Sequence, residues 1–316
     1  RRGCGLMDHT YEEVDAYQVD QDNAGKRLDV FIADQYQDIS RSYVQKLIKD
    51  GLVLVNEGVK KASYKLEEGD KLEVAMPEPE VLEVLAQDID LDIVYEDDDL
   101  LIVNKPQGMV VHPAPGNTDG TLVNAIMYHC KDKLSSINGV IRPGIVHRID
   151  KNTSGLLVVA KNNASHQGLA DQFKLHSITR EYEMVCIGGV DWDQMTVDKN
   201  IGRNPKDRLK MAVLESGGRH AVTHFTVIDH LEGYTYMKAS LETGRTHQIR
   251  VHSNYLRHPI LGDNLYGYQV KKFSKLEGQT LHARKLGFVH PRTGEYMEFT
   301  SELPDYFKKI LDAIRR

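Results

Sequence analysis

The residue best placed to do chemistry is an aspartate in the stretch Gly144-Ile145-Val146-His147-Arg148-Ile149-Asp150-Lys151-Asn152-Thr153-Ser154-Gly155, directly ahead of the apolar run Leu156–Ala160. A carboxylate in a polar loop that leads into a buried strand can be held rigidly. Thr153 and Ser154 can bond the local backbone, and Gly155 permits a tight turn. Such a group is a nucleophile if a substrate reaches it and a loop-capping acceptor if none does; the stretch alone leaves both open. His147, His247 and His252 raise the question of a metal. No His-Glu-x-x-His and no paired His–carboxylate spacing supports one, so no catalytic metal is expected. Gly-rich phosphate loops of the two common types are absent as well.

Asp150 must be positioned by a domain that alternates strands and helices. From residue 89, strands are expected at Asp90–Tyr95, Leu100–Asn104, Leu156–Ala160, Glu181–Ile187, Ala221–Asp229, Tyr234–Glu242 and Tyr296–Thr300, and helices at Leu122–Cys130, Ser165–Lys174, His247–Tyr255 and Pro304–Arg315. Ahead of it, residues 17–76 read as a small separate module. A helix over Arg27–Gln37 shows Leu28, Phe31 and Ile32 on one face. A second, Arg41–Lys49, has Ser40 as its N-cap and stops at Gly51; short strands follow at Leu52–Val55 and Lys71–Val74. Residues 1–16 read as a flexible polar tail. Residues 77–88, opening on Pro77-Glu78-Pro79-Glu80, read as an acidic linker, and residues 89–316 as the larger domain.

Four stretches, in order, carry a resemblance. They are Val103-Asn104-Lys105-Pro106-Gln107-Gly108-Met109-Val110-Val111-His112-Pro113; His147-Arg148-Ile149-Asp150-Lys151-Asn152-Thr153-Ser154-Gly155; Arg180-Glu181-Tyr182; and Glu242-Thr243-Gly244-Arg245-Thr246-His247-Gln248-Ile249-Arg250. Together they resemble the motifs of the RluA family of pseudouridine synthases, in which Leu is usual at the place of Ile149. In the module, Gly25-Lys26-Arg27-Leu28-Asp29, Ser40-Arg41-Ser42 and Gly51-Leu52-Val53-Leu54-Val55-Asn56 resemble an S4-like RNA-binding domain, which points to the RluD-like subgroup.

The resemblance implies an α+β chain: a small N-terminal S4-like α/β module and a larger, mixed, mainly antiparallel β-sheet catalytic domain with flanking helices. It implies isomerisation of uridine to pseudouridine in RNA, most readily large-subunit ribosomal RNA. The bond from uracil nitrogen-1 to sugar carbon-1′ is broken, the base turns, and carbon-5 is joined to the sugar. Nothing is gained from outside, so no cofactor is expected. Asp150 becomes the nucleophile, comparable to the carboxylate of a retaining glycosidase. Arg245 becomes the guanidinium that pairs with it and aims it. Tyr182 stacks on the target base and is a candidate to move the carbon-5 proton. Arg148 fills the space the flipped uridine leaves. Lys26, Arg27, Arg41, Lys46 and Lys49 present the S4-like basic face. Lys105-Pro106 and His112-Pro113 are expected to be mainly structural. An RNA N-glycosylase, or a non-catalytic RNA-binding factor with the same fold, is the alternative; the second predicts a missing Asp, Tyr or Arg, and all three places are filled.

The bulk numbers agree with a two-domain protein of 316 residues, 41% hydrophobic and 27% charged. The net charge of −6 speaks against nucleic acid until its distribution is seen. Residues 77–100 contain ten carboxylates and no Lys or Arg, so the rest is net positive. Lys199, Arg203, Lys206, Arg208, Lys210 and Arg219, against Asp207 and Glu215, read either as a local basic surface or as an ordinary solvated charged face. The partner that the resemblance implies is RNA, with neither DNA nor a membrane expected. No run of about 18 apolar residues occurs. Arg1–Leu6 lacks the apolar core of a signal peptide, and Met7 is a candidate start. Cys4, Cys130 and Cys186 are too scattered for a disulfide framework or zinc, which suits a cytoplasmic protein.

Overall fold

Apolar residues at helical spacing build the first unit. Leu28, Phe31 and Ile32 of α1 (Leu28–Gln35) and Val44, Leu47 and Ile48 of α2 (Arg41–Lys49) turn one stripe each into a common core with Val53, Val55, Leu72 and Val74. Those last four belong to a four-stranded sheet made of β1 (Tyr11–Gln18), β2 (Val53–Val55), β3 (Gly58–Val59) and β4 (Lys71–Pro77), in the order β1-β4-β2-β3. The computed structural model describes residues 11–35, 41–77, 84–113, 118–131, 134, 143–207 and 210–315. Its chain divides into two compact units, Arg1–Val81 and Leu82–Arg316, each considered by itself.

Two expectations about the segments flanking the module are corrected. The polar tail expected over residues 1–16 is, from Tyr11, a strand antiparallel to β4, with Asp15 opposite Val74 and Tyr17 opposite Leu72. An edge strand is fixed by backbone pairing and needs apolar residues on one face at most. The acidic linker expected over residues 77–88 is, in its second part, fastened to the second unit. Val84 is buried in that unit's core, Asn124 Nδ2 donates to the Leu85 carbonyl at 2.8 Å, and the Gln87 N–H donates to the Asn124 carbonyl at 3.0 Å. Ser40 and Pro79–Glu80 lie outside the described residues.

In the second unit the strands are β5 (Ile93–Glu96), β6 (Leu100–Lys105), β7 (Ser154–Ala160), β8 (Thr179–Ile187), β9 (Gln194–Asp198), β10 (Asn200–Arg203), β11 (Met211–Leu214), β12 (Val222–Leu231), β13 (Tyr234–Leu241), β14 (Leu281–Val289) and β15 (Tyr296–Thr300). The helices are α3 (Leu122–Cys130), α4 (Asn163–Lys174), α5 (Gln248–Tyr255) and α6 (Asp305–Arg315). Nine strands form one sheet in the order β5-β6-β7-β14-β8-β13-β12-β9, with β15 added to β14; β10 and β11 form a separate hairpin. Among the described residues only the β7–β14 pair is parallel, so the sheet is mainly antiparallel, as expected.

All seven residues of β7 are buried because both faces of the sheet are covered. Leu157 and Val159 join the core under α3, while Leu156, Val158 and Ala160 join the one under α4. α6 covers the second face beside β8, with Phe307, Ile310 and Leu311 on Val185 and Ile187. The first face, with Tyr182, Ala239 and Ala283, carries the site.

Candidate active site

The loop that carries Asp150 is clamped from beneath. Lys105, at the end of β6 and only 1% exposed, donates from Nζ to the carbonyls of Pro106, Met109 and Lys151 at 2.9, 2.9 and 3.0 Å. The Gly108 N–H reaches the same Lys151 carbonyl at 2.9 Å. Gln107 Nε2 donates to the carbonyls of Asn152 and Gln279, Gln279 Nε2 donates to Thr153 Oγ1, and the Thr153 N–H closes a turn on the Asp150 carbonyl. Burial pulls the Lys105 pKa down to about 7. Three carbonyls nevertheless use three ammonium hydrogens, and that arrangement needs the charged form. Ser154 bonds a side chain across the sheet rather than local backbone: its Oγ shares a hydrogen bond with His282 Nδ1 at 2.8 Å. Gly155 has φ of +115°, and a Cβ there would run into the Ala283 backbone. Only glycine allows β7 and β14 to approach so closely just behind the loop.

Asp150 is aimed by α5. Arg250, 8% exposed, donates from Nη1 to Asp150 Oδ2 at 2.8 Å. Its other edge makes a two-point contact with the fully buried side chain of Asp263, Nε to Oδ2 at 2.7 Å and Nη2 to Oδ1 at 2.9 Å. Asp263 Oδ1 also accepts the N–H groups of Leu265 and Tyr266. Tyr266 lies under the guanidinium, with its ring centroid 5.0 Å from Arg250 Cζ. The planar fork is thus fixed by Asp263, and its remaining nitrogen fixes Asp150. The Arg250 guanidinium beside Asp263 holds that carboxyl below the ordinary range against the upward pull of burial. His247 Nε2 stands 3.8 Å from Asp150 Oδ1, and its Nδ1 shares a hydrogen bond with Tyr266 Oη at 2.8 Å. Burial lowers the His247 pKa, with Asp150 opposing.

The partner expected for Asp150 is Arg245; the structure puts Arg250 there. Arg245 precedes α5, in a loop pinned by Gln248, whose Oε1 accepts the Arg245 N–H at 3.0 Å and the Thr243 hydroxyl at 2.7 Å. The Arg245 Nε donates to the His220 carbonyl at 2.9 Å, and the side chain lines the same cleft. That cleft, about 530 Å³, is also lined by Arg148, Asp150, Lys174, Arg180 and Tyr182. Among the described residues that line it, Asp150 is the one carboxylate. Arg148 is exposed and lines both the cleft and an adjoining hollow of about 310 Å³ that Asp150 shares. Tyr182 is buried on β8, opposite Ala239 of β13 and Ala283 of β14. Those small neighbours on the same face leave its ring a wall of the cleft, and burial raises its hydroxyl pKa. Asp150, Tyr182, Arg148 and Arg245 therefore meet in one place. Arg250 is the partner of Asp150 that sequence reasoning missed; Lys105 serves the structural part expected of it.

The N-terminal candidates belong to the other unit. Lys26, Lys46 and Lys49 are exposed. Arg27 and Arg41 are tied to the buried carboxylate of Asp29, each with Nε at 3.0 Å, and Gln45 Nε2 adds a bond at 2.7 Å. Those bonds hold the Asp29 pKa well below the ordinary range although burial works against them.

A mainly antiparallel sheet whose cleft holds one aimed carboxylate, a buried tyrosine and several cations fits an enzyme acting on a polyanion. Residues 99–255 match the family described as RNA pseudouridylate synthase, and residues 26–72 match the S4 domain. The chain belongs to the RNA pseudouridine synthase family and carries an S4 domain at its N-terminal side; it is an RNA-modifying enzyme. It is 51% identical over 296 residues to the uncharacterized RNA pseudouridine synthase YlyB of Bacillus subtilis, spanning 94% of this chain and 96% of the relative. It is 47% identical to the ribosomal large subunit pseudouridine synthase D of Zymomonas mobilis, spanning 89% of this chain and 91% of that one. The solved structure of human RNA pseudouridylate synthase domain containing 1 aligns with a TM-score of 0.55 at 26% identity, covering 75% of this chain and 97% of that one.

Proposed function

We propose that the protein converts specific uridines of large-subunit ribosomal RNA to pseudouridine, with the uridine flipped out of its helix into the cleft and Asp150 as the nucleophile. The observation that carries this reading is the Arg250–Asp150 contact at 2.8 Å inside a cleft walled by Tyr182. A carboxylate held by a guanidinium that is itself fixed on Asp263 has its free oxygen available to the substrate. It holds the substrate covalently while the bond from nitrogen-1 to carbon-1′ is open, as a retaining glycosidase does. The base then turns within the cleft, carbon-5 bonds to carbon-1′ as the bond between Asp150 and carbon-1′ breaks, and the proton lost from carbon-5 is matched by one taken up at nitrogen-1. Atoms balance with no co-reactant. In this reading the Tyr182 ring offers the uracil a stacking face, and its hydroxyl takes part in that proton transfer. Flipping costs a few kcal/mol of lost stacking; in this reading Arg148, which is exposed and lines both the cleft and the adjoining hollow, fills the gap. Large-subunit ribosomal RNA is proposed as substrate because several relatives bear that name, and the S4 domain supports a structured RNA. The test is a pseudouridine map of ribosomal RNA from cells with and without the gene. Loss of one or a few large-subunit pseudouridines is expected; an unchanged map of the large subunit overturns the substrate.

A further inference from the structure

Arg180 is a cation without a counter-charge among the described residues. It stands on β8 two residues before Tyr182, so both side chains face the cleft. It is 9% exposed. One face lies on Phe173, with Cζ 5.6 Å from the ring centroid. Nη2 makes a single long bond, 3.3 Å, to the Glu242 carbonyl. Nε is buried with no hydrogen-bond partner among the described residues, and none of their carboxylates lies within ion-pair distance. A Cβ at Gly244 would come within 2.5 Å of Nη1, so the guanidinium is enclosed on that side by the turn ahead of Arg245. Burying a guanidinium with one weak acceptor is costly. Its neighbours in the cleft do not relieve it: Arg148, Lys174 and Arg245 are also cations, and Asp150 is engaged by Arg250. Burial accordingly lowers the Arg180 pKa.

We propose that Arg180 is completed by the substrate, binding a phosphate group of the RNA backbone directly beside the target uridine. This rests on the reading of the cleft as the uridine site. A phosphodiester supplies what the pocket lacks: a full negative charge and two oxygens that a guanidinium fork can take at once. A uracil carbonyl would satisfy Nε but leave the buried charge uncompensated. The contact would anchor the flipped nucleotide by its backbone, while Tyr182 on the same strand meets its base.

The experiment uses the full chain with Arg180→Met, which keeps an apolar side chain against Phe173, and Arg180→Lys, which keeps the charge. The probe is an RNA hairpin containing a mapped target uridine, made with the natural phosphates or with a neutral methylphosphonate at one of the two linkages flanking that uridine. Affinity is measured over a salt series, with single-turnover tritium release alongside. For the wild type, one of the two methylphosphonates should weaken binding by about tenfold to a hundredfold, the range of a charge-assisted contact. Arg180→Met should show about that loss on natural RNA, with a salt slope shallower by about 0.7–0.9, and no further loss on that methylphosphonate. Arg180→Lys should keep part of the affinity and part of the sensitivity. If the losses from Arg180→Met and from each methylphosphonate simply multiply, or if the salt slope is unchanged, the phosphate contact is refuted. Should Arg180→Met fail to fold, an Arg180→Lys enzyme as sensitive to both methylphosphonates as the wild type refutes it equally. Wild-type tritium release from the same RNA is read separately: its absence overturns the functional reading, its presence with multiplying losses overturns only the role of Arg180.

Discussion

Replacing Arg250 by Lys keeps the charge and removes the fork. The guanidinium makes three charge-assisted bonds, two to Asp263 and one to Asp150. An ammonium at the end of a shorter, non-planar head cannot serve both carboxylates, so at least two of the three are broken. Each such bond contributes about 1.5–3 kcal/mol. Part is recovered, because Lys still pairs with one carboxylate and Asp263 keeps the Leu265 and Tyr266 N–H groups. A net stability loss of about 2–4 kcal/mol is expected, somewhat below the about 3–5 kcal/mol for breaking a buried pair outright, because one pairing survives. If Asp150 loses its aim, the chemical step should slow by the worth of one such bond, about tenfold to 150-fold. Arg245→Lys removes one bond to a carbonyl, from a side chain not in contact with Asp150, so its effect on the chemical step should be several-fold at most. Urea unfolding gives the first number and single-turnover tritium release at saturating RNA gives the second. An Arg250→Lys enzyme as fast as the wild type, or one less affected than Arg245→Lys, would refute the aiming role.

Tyr182→Phe should leave RNA affinity nearly unchanged and slow the single-turnover rate, since the ring stays and the hydroxyl goes; equal rates would leave Tyr182 only a stacking part. Stability should fall with acid because burial holds His147 near a pKa of about 3 and His252 and His282 near about 4, against an ordinary 6.5. These rings stay neutral in the folded chain while the unfolded chain takes up protons. Their contribution is thus complete above about pH 6.5 and is lost as pH falls toward 4, by up to about 1.4 kcal/mol per pH unit for each. Urea titrations at pH 7, 6 and 5 check it, and a flat profile contradicts it. In the S4 unit, Lys46→Gln with Lys49→Gln should flatten the salt dependence of RNA binding by about 0.7–0.9 for each phosphate that is no longer neutralised. Arg27→Gln and Arg41→Gln should mainly lower stability, since both guanidiniums neutralise buried Asp29; an unchanged slope in the lysine variant would show that these lysines do not touch the RNA backbone.

Where the sequence was legible, local and tertiary demands agreed. α2 and α3 have the bounds that their apolar spacing predicts, and β7 is the continuous apolar run that burial on both faces requires. β14 was not legible, although it lies at the centre of the sheet. Leu281-His282-Ala283-Arg284-Lys285 shows no clean alternation, because its polar side chains are satisfied by distant partners: His282 by Ser154 and Ser301, Arg284 by Glu183, and Lys285 by Glu298. β1 was hidden because backbone pairing with β4, rather than an apolar face, defines it. In the site, Asp150, Tyr182 and Arg148 could be placed from their motifs. The choice between Arg245 and Arg250 depends on α5 starting at Gln248 and on Asp263 holding the fork, neither of which residue types reveal.

The central claim is that the Asp150 carboxylate performs the isomerisation, and Asp150→Asn tests it most directly. The amide keeps the size and can still bond within the loop, but it has no anionic oxygen with which to attack. Tritium release from carbon-5-labelled uridine RNA, under single-turnover conditions and with folding checked by urea unfolding, is the measurement. A folded Asp150→Asn protein that binds RNA and releases essentially no tritium is the predicted result. Turnover within about tenfold of the wild type, a difference of only about 1.4 kcal/mol in the barrier, would contradict the account.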